Sequence, residues 1–126
     1  MFNISKTIKN NAPKNALFFS QALKAVLGGN YELSLVFIGN KLSRKLNRTH
    51  RNIDKPTDIL SFPLDKKSGE IFINIPYSKK KCLSFERDFD NYIKFIFIHG
   101  LFHLKGYEHS SRMESEEQKM RKKFNV

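Results

Sequence analysis

The chain of 126 residues has a single cysteine, Cys82. One thiol can build neither an internal disulfide framework nor a cysteine-based zinc finger. Acids are also scarce: 12 Asp and Glu stand against 23 Lys and Arg, a net charge of +11. Such an imbalance speaks about partners and not about fold. Nucleic acid is the first partner class it suggests and an anionic membrane surface the second. Long apolar runs are missing as well. The longest nearly unbroken one, Phe95–Ile98, is far short of a membrane span. Residues 1–15 carry Lys6, Lys9 and Lys14 without the apolar stretch of a secretory signal. The expectation is a soluble cytoplasmic protein with no membrane partner.

Repeats, low-complexity tracts and linkers are absent too. With 40% hydrophobic residues the chain reads as one domain over residues 1–126. A domain of this size buries roughly two-thirds of its unfolded surface and needs no disulfide.

Residues 2–8 alternate apolar and polar, as a short strand does. Pro13 suits a first helical turn. Ala16, Leu17, Phe19, Ala22, Leu23 and Val26 then repeat at helical spacing until Gly28–Gly29. Tyr31–Ile38 is the best strand, rich in β-branched and aromatic residues. Asn40 can cap a short helix carrying Leu42 and Leu46. After a polar loop at 52–55, Asp58–Phe62 reads as a strand closed by Pro63. Residues 66–69 read as a hairpin connection into a strand over Glu70–Ile75, after which Pro76 opens a short helix. Phe85 to about Lys105 reads as one long helix, apolar all round from Phe95. Ser111 and Glu114 fit a capping box for a last helix with acids early and bases late. The class is α+β, with about four strands in a mixed sheet and four or five helices.

Three of the four histidines fall within eleven residues: His99, His103 and His109. His99 and His103, four apart on a helix, project from one face about 6 Å apart along the axis. Two imidazoles so placed can converge on a zinc ion with Zn–N bonds of about 2.0–2.1 Å. Gly106 can end the helix in a left-handed conformation and bring His109 back as third ligand. The spacing H-x3-H-x2-G-x2-H matches the metzincin zinc proteases at every His and at the Gly. Three His ligands leave a fourth position open, as catalytic zinc sites do. A buried core His or a solvated His face is the bland alternative, but neither fits three histidines spaced around a Gly on an apolar helix. The protease motif has a general-base Glu after its first His. Gly100 stands there instead, which disfavours peptide hydrolysis. Water on zinc ionises near pH 7 without a strong base. Phosphodiester cleavage then mainly needs a cation placed for the phosphoryl charge.

His99-Gly100-Leu101-Phe102-His103-Leu104-Lys105-Gly106-Tyr107-Glu108-His109 is similar to the HGxLHLxGYDH signature of the bacterial YbeY family of metal-dependent endoribonucleases. Leu46-Asn47-Arg48, Arg51 and the run Lys55-Pro56-Thr57-Asp58-Ile59-Leu60-Ser61-Phe62-Pro63 resemble a second block of that family, and Gly69-Glu70-Ile71 a third. Glu108 and Glu70 stand where the family has Asp. The resemblance implies a zincin-like α+β domain with zinc at the end of a central helix. It implies one zinc ion on His99, His103 and His109. It also implies single-stranded RNA and not DNA as substrate. The setting it implies is 16S rRNA 3′ end maturation and quality control of the small ribosomal subunit. It assigns catalytic roles to Arg51 and His99, and substrate binding to Arg51 and Arg48. Asp58 and Glu108 are expected behind the ligands.

Other residues carry competing readings. Lys41, Arg44, Lys45, Arg48 and Arg51 form a basic run that is either a solvated helix face or a phosphate-holding one. His50 is a general acid or a surface residue. Asp58 orients a ligand His or caps a turn. Lys66-Lys67 and Lys79-Lys80-Lys81 are solvated or touch RNA backbone. Phe62 is expected in the core, as is Met113, while Tyr107 packs or stacks on a base. Ser61 has no basic partner and is given no nucleophilic role. Two other functions compete with the endoribonuclease: a zinc-stabilised, non-enzymatic RNA-binding or ribosome-assembly factor, and a metallopeptidase.

Overall fold

The computed structural model describes residues 2–9 and 13–126; Met1 and residues 10–12 of the N-terminal stretch lie outside the described residues. Four strands form one sheet in the order β1-β2-β4-β3. They are β1 (Phe2–Lys6), β2 (Glu32–Ile38), β3 (Ile59–Asp65) and β4 (Ser68–Asn74). The first three in spatial order run parallel and β3 runs antiparallel to β4, so the sheet is mixed. Parallel strands need a crossover. Helix α1 (Ala16–Leu27) supplies it between β1 and β2.

The register explains the core. Leu35 pairs with Ile71 and Phe37 with Ile73, and all four side chains are fully buried. Alternation places them on one face of the sheet. Helix α4 (Phe89–Leu104) covers that face, and α1 packs on α4 through Phe19, whose ring lies 4.8 Å from Phe97 and 6.0 Å from Phe37. From Ile96 to Leu104 every residue of α4 except His99 and His103 is buried, as the all-round apolar character requires. Helices α2 (Asn40–Arg51), α3 (Ile75–Lys81) and α5 (Ser111–Lys123) complete the fold.

Several boundaries differ from the sequence expectation. Pro13 precedes α1, because the carbonyl of Asn15 accepts the first helical bond, from the Phe19 N–H. Asn40 is inside α2, where the Gly39 carbonyl accepts from Ser43, and the Asn40 side chain instead accepts from the amide of Asn74. Strand β3 continues through Pro63 to Asp65. An edge strand tolerates a missing N–H, and the register slips between Pro63 and Asp65. Ser68 and Gly69 belong to β4, leaving a turn at 66–67. The long helix from Phe85 is interrupted. A 3-10 turn, Cys82–Phe85, ends at Glu86 in the left-handed region, and α4 starts only after Asp88. The Asp88 carboxylate accepts from the Asn91 N–H at 2.7 Å, a start signal that outweighs the apolar spacing of Phe85 and Phe89. Ser110, not Ser111, caps α5, accepting from Met113 at 3.2 Å.

Gly100 sets how closely α4 approaches the sheet. A Cβ there would lie 2.7 Å from Ile59 Cδ1, 2.9 Å from Ser61 Oγ and 3.3 Å from Ile71 Cδ1. The Ser61 hydroxyl donates to the Gly100 carbonyl at 3.3 Å, so this serine ties the helix to the sheet. Gly100→Ala forces three side chains aside and should cost roughly 1–3 kcal/mol of stability. Urea denaturation measures it, and an unchanged midpoint would refute this account of the contact.

Candidate metal centre

His99 and His103 lie in the last turns of α4, one turn apart, on the only strip of its C-terminal half that is not buried. The helix then stops in a way that returns His109. Gly106 takes φ 104°, its N–H donates to the His103 carbonyl at 3.0 Å, and the Tyr107 N–H donates to the Phe102 carbonyl at 3.1 Å. This pair of bonds is the Schellman arrangement, which needs a residue free to adopt positive φ. The hydrophobic contact that accompanies it is present, with the Tyr107 ring 5.6 Å from Phe102. Tyr107 is therefore a packing residue of the helix end.

The three imidazoles converge. Ring centroids are 4.5 Å apart for His99 and His103, 4.7 Å for His103 and His109, and 5.1 Å for His99 and His109. One nitrogen of each lies within 4.8 Å of the others, a group that could hold a metal ion. The outer nitrogens are committed elsewhere. His99 Nδ1 donates to the Glu117 carboxylate at 3.0 Å, and His103 Nδ1 donates to the Tyr107 carbonyl at 3.2 Å. Both Nε2 atoms then present lone pairs, 3.0 Å apart. Two lone pairs so close repel unless a cation lies between them, so the donor set fits a metal. His103 is held below its ordinary pKa, first by burial, then by the charges of His99, His109 and Arg51, against the opposing pull of the Tyr107 carbonyl. A neutral ring is the form that ligates.

Glu117 was not singled out in the sequence, where the early acids of α5 suit the helix dipole. It is 3% exposed, and Arg121 approaches it at 3.9 Å. Its position between Met113 and Met120 on the apolar face of α5 is the signal that could have found it. An ionisable residue at such a position needs a partner. Neither Asp58 nor Glu108 takes this place. Asp58 accepts from the Tyr92 hydroxyl and from Thr57 Oγ1. Burial and this carboxylate push the Tyr92 phenol far above its ordinary pKa. Glu108 is exposed, and its side chain has no hydrogen bond or ion pair with a described residue.

The histidines open into a pocket of about 430 Å³. Arg51 lines one wall, donating to the Ser61 carbonyl at 3.4 Å with its remaining N–H groups free for a ligand. Phe85, 46% exposed, and Phe95 line another. Thr57 and Asp58 also line the pocket, and Met113 is both core and pocket floor. Arg48 lies outside it, 3.5 Å from Asp54. His50 is exposed with its ring 4.8 Å from Phe62, which is half-buried on the outer face of the edge strand.

No described helix is long and apolar enough to cross a membrane. Comparison with known proteins gives a consistent result. The family described as Endoribonuclease YbeY matches residues 2–125. A protein named Endoribonuclease YbeY from Acholeplasma laidlawii is 38% identical over 89 residues, covering 68% of this chain and 65% of its own length. One of the same name from Helicobacter pylori is 32% identical over 117 residues, covering 89% of this chain and 84% of its own. The solution structure of TM1509 from Thermotoga maritima superposes with a TM-score of 0.64 at 24% identity, over 95% of this chain and 86% of that one; it supports the fold.

Removing a partner behind a ligand His typically weakens metal binding about 10–100-fold. Glu117→Ala should show that loss in a chelator competition with a divalent metal, while Glu117→Gln, which keeps an acceptor for His99, should lose less. Equal affinity in Glu117→Ala and wild type would remove Glu117 from the site.

Proposed function

The chain belongs to the YbeY family, and from that premise we propose that it is a zinc-dependent endoribonuclease specific for single-stranded RNA. Its proposed setting is the cytoplasm, in 3′ end maturation of 16S rRNA and quality control of the small ribosomal subunit. The observation that carries the proposal is the convergence of His99, His103 and His109 in one pocket with Arg51. Nitrogen ligands with a carboxylate and a carbonyl behind them suit zinc.

When bound, the metal supplies a Lewis acid and an activated water. The chain's own residues do the rest. His99, His103 and His109 present their ring nitrogens to one point, fixed from behind by Glu117 and the Tyr107 carbonyl. Arg51, on the pocket wall, holds a phosphate oxygen in this reading and stabilises the charge that grows on it in the transition state. Phe85 offers an exposed ring on which a base beside the scissile phosphate can stack, which only an unpaired strand allows, while the Phe95 ring is already covered by the guanidinium groups of Arg87 and Arg121. The net charge of +11 draws the polyanion in. The peptidase reading loses further ground. Gly100 stands where the general-base Glu would be, and a side chain there would have to displace Ile59, Ser61 and Ile71.

The test is a gel assay on single-stranded rRNA with zinc-loaded wild type, His103→Ala and Arg51→Ala purified identically. Wild type should cleave, His103→Ala should not, and Arg51→Ala should lose about a hundredfold or more in rate. Chelation of the metal should abolish cleavage. Equal cleavage by all three proteins would reveal a contaminating nuclease. No cleavage by any would favour the RNA-binding assembly factor.

A further inference from the structure

The basic face of α2 does not end at the histidine pocket. Lys41, Arg44, Arg48 and Arg51 follow at spacings of three and four, which makes one ridge ~15 Å long. Arg51, at its C-terminal end, belongs to the histidine pocket. The rest borders a second, larger cleft of about 1060 Å³ beside α3. Lys41, Lys45 and Arg48 of α2 and Lys80 of α3 surround it, Leu42 and Tyr77 give it apolar surface, and no described Asp or Glu lines it. Arg44 is neutralised by a two-pronged pair with Asp54, at 2.8 and 2.9 Å. Lys41, Lys45 and Lys80 are exposed and have no carboxylate partner among the described residues. Three unneutralised ammonium groups around a partly apolar cleft match a ligand with phosphates and a flat ring.

The two cavities are neighbours. Pro56 lines the cleft, and the next residues, Thr57 and Asp58, line the histidine pocket. The partition is firm, because the Thr57 N–H donates to Ser43 Oγ at 2.9 Å and that hydroxyl donates back to the Thr57 carbonyl at 3.0 Å.

We propose that the cleft between α2 and α3 is a second nucleotide subsite, occupied by the same RNA strand whose phosphate reaches the histidine pocket. Lys41, Lys45 and Lys80 contact backbone phosphates and Tyr77 stacks on a base. The identity of the strand as RNA rests on the function proposed above; the cation-lined cleft does not.

Binding tests it without cleavage. Fluorescence anisotropy follows labelled oligouridylates of increasing length on the full chain carrying His103→Ala. Affinity should rise once the strand spans both cavities. Adding Lys41→Ala, Lys45→Ala and Lys80→Ala should remove that rise. It should also flatten the plot of log affinity against log salt by about 2, at ~0.7 per single-strand phosphate contact. Tyr77→Ala should weaken binding roughly tenfold, the loss of one stack, and Tyr77→Phe should keep it. Lys14→Ala, Lys24→Ala and Lys122→Ala remove equal charge elsewhere and should leave the slope nearly unchanged. An equal effect of this control set, or an unaltered slope in the cleft set, overturns the proposal. So does a mononucleotide that binds as tightly as the long strand. A chain that shows the cleft-dependent slope yet never cleaves RNA keeps the subsite and fails as a nuclease; cleavage with an unaltered slope is the reverse.

Discussion

Helix α4 is pressed against β3 and β4 with its backbone at Gly100 against Ile59, Ser61 and Ile71, and the placement of the site follows from that contact. The helix is buried on nearly all sides after Ile96, so its one uncovered strip is narrow and carries only His99 and His103. A side chain at position 100 would meet Ile59, Ser61 and Ile71, and with them the hydroxyl through which Ser61 holds the helix. Arg51 is held from the sheet side, through the Ser61 carbonyl. Ser61 therefore links both halves of the pocket: its hydroxyl meets α4 and its carbonyl meets Arg51.

The same contact separates this site from the peptidases whose histidine spacing it shares. Their general base occupies the position that here is Gly100, packed closely against Ile59, Ser61 and Ile71. Spacing of ligands specifies a metal geometry, while the chemistry depends on what else the scaffold lets stand beside it. Here the neighbours are a guanidinium, an exposed phenylalanine ring and a carboxylate behind one histidine.

Much of the architecture was legible in order and type. The helix of Ala16–Leu27, the strand ending at Ile38 and the four-stranded α+β layout follow from apolar spacing and turn residues. Boundaries were less legible where two local signals compete. Phe85 fits the stripe of α4, but the Asp88 cap and the left-handed Glu86 cut it off. Pro63 reads as a stop, but an edge strand passes through it. Parallel pairing of β1, β2 and β4 leaves no mark in period-two alternation, because register is a relation between distant segments.

By itself, the sequence marked the three histidines that converge. His99, His103, Gly106 and His109 lie within one helix end, and local helical geometry with a left-handed turn suffices to gather them. The partners from distant segments were decided only by tertiary structure. Glu117 stands eighteen residues beyond His99, and its role as the carboxylate behind that ring depends on how α5 docks, as does the displacement of Asp58 to Tyr92. Arg51 and the histidines share a wall only because β3 brings Ser61 beneath Gly100. Contacts within one turn are set by bonded geometry and spacing. Contacts across the fold are set by packing, which no local pattern encodes.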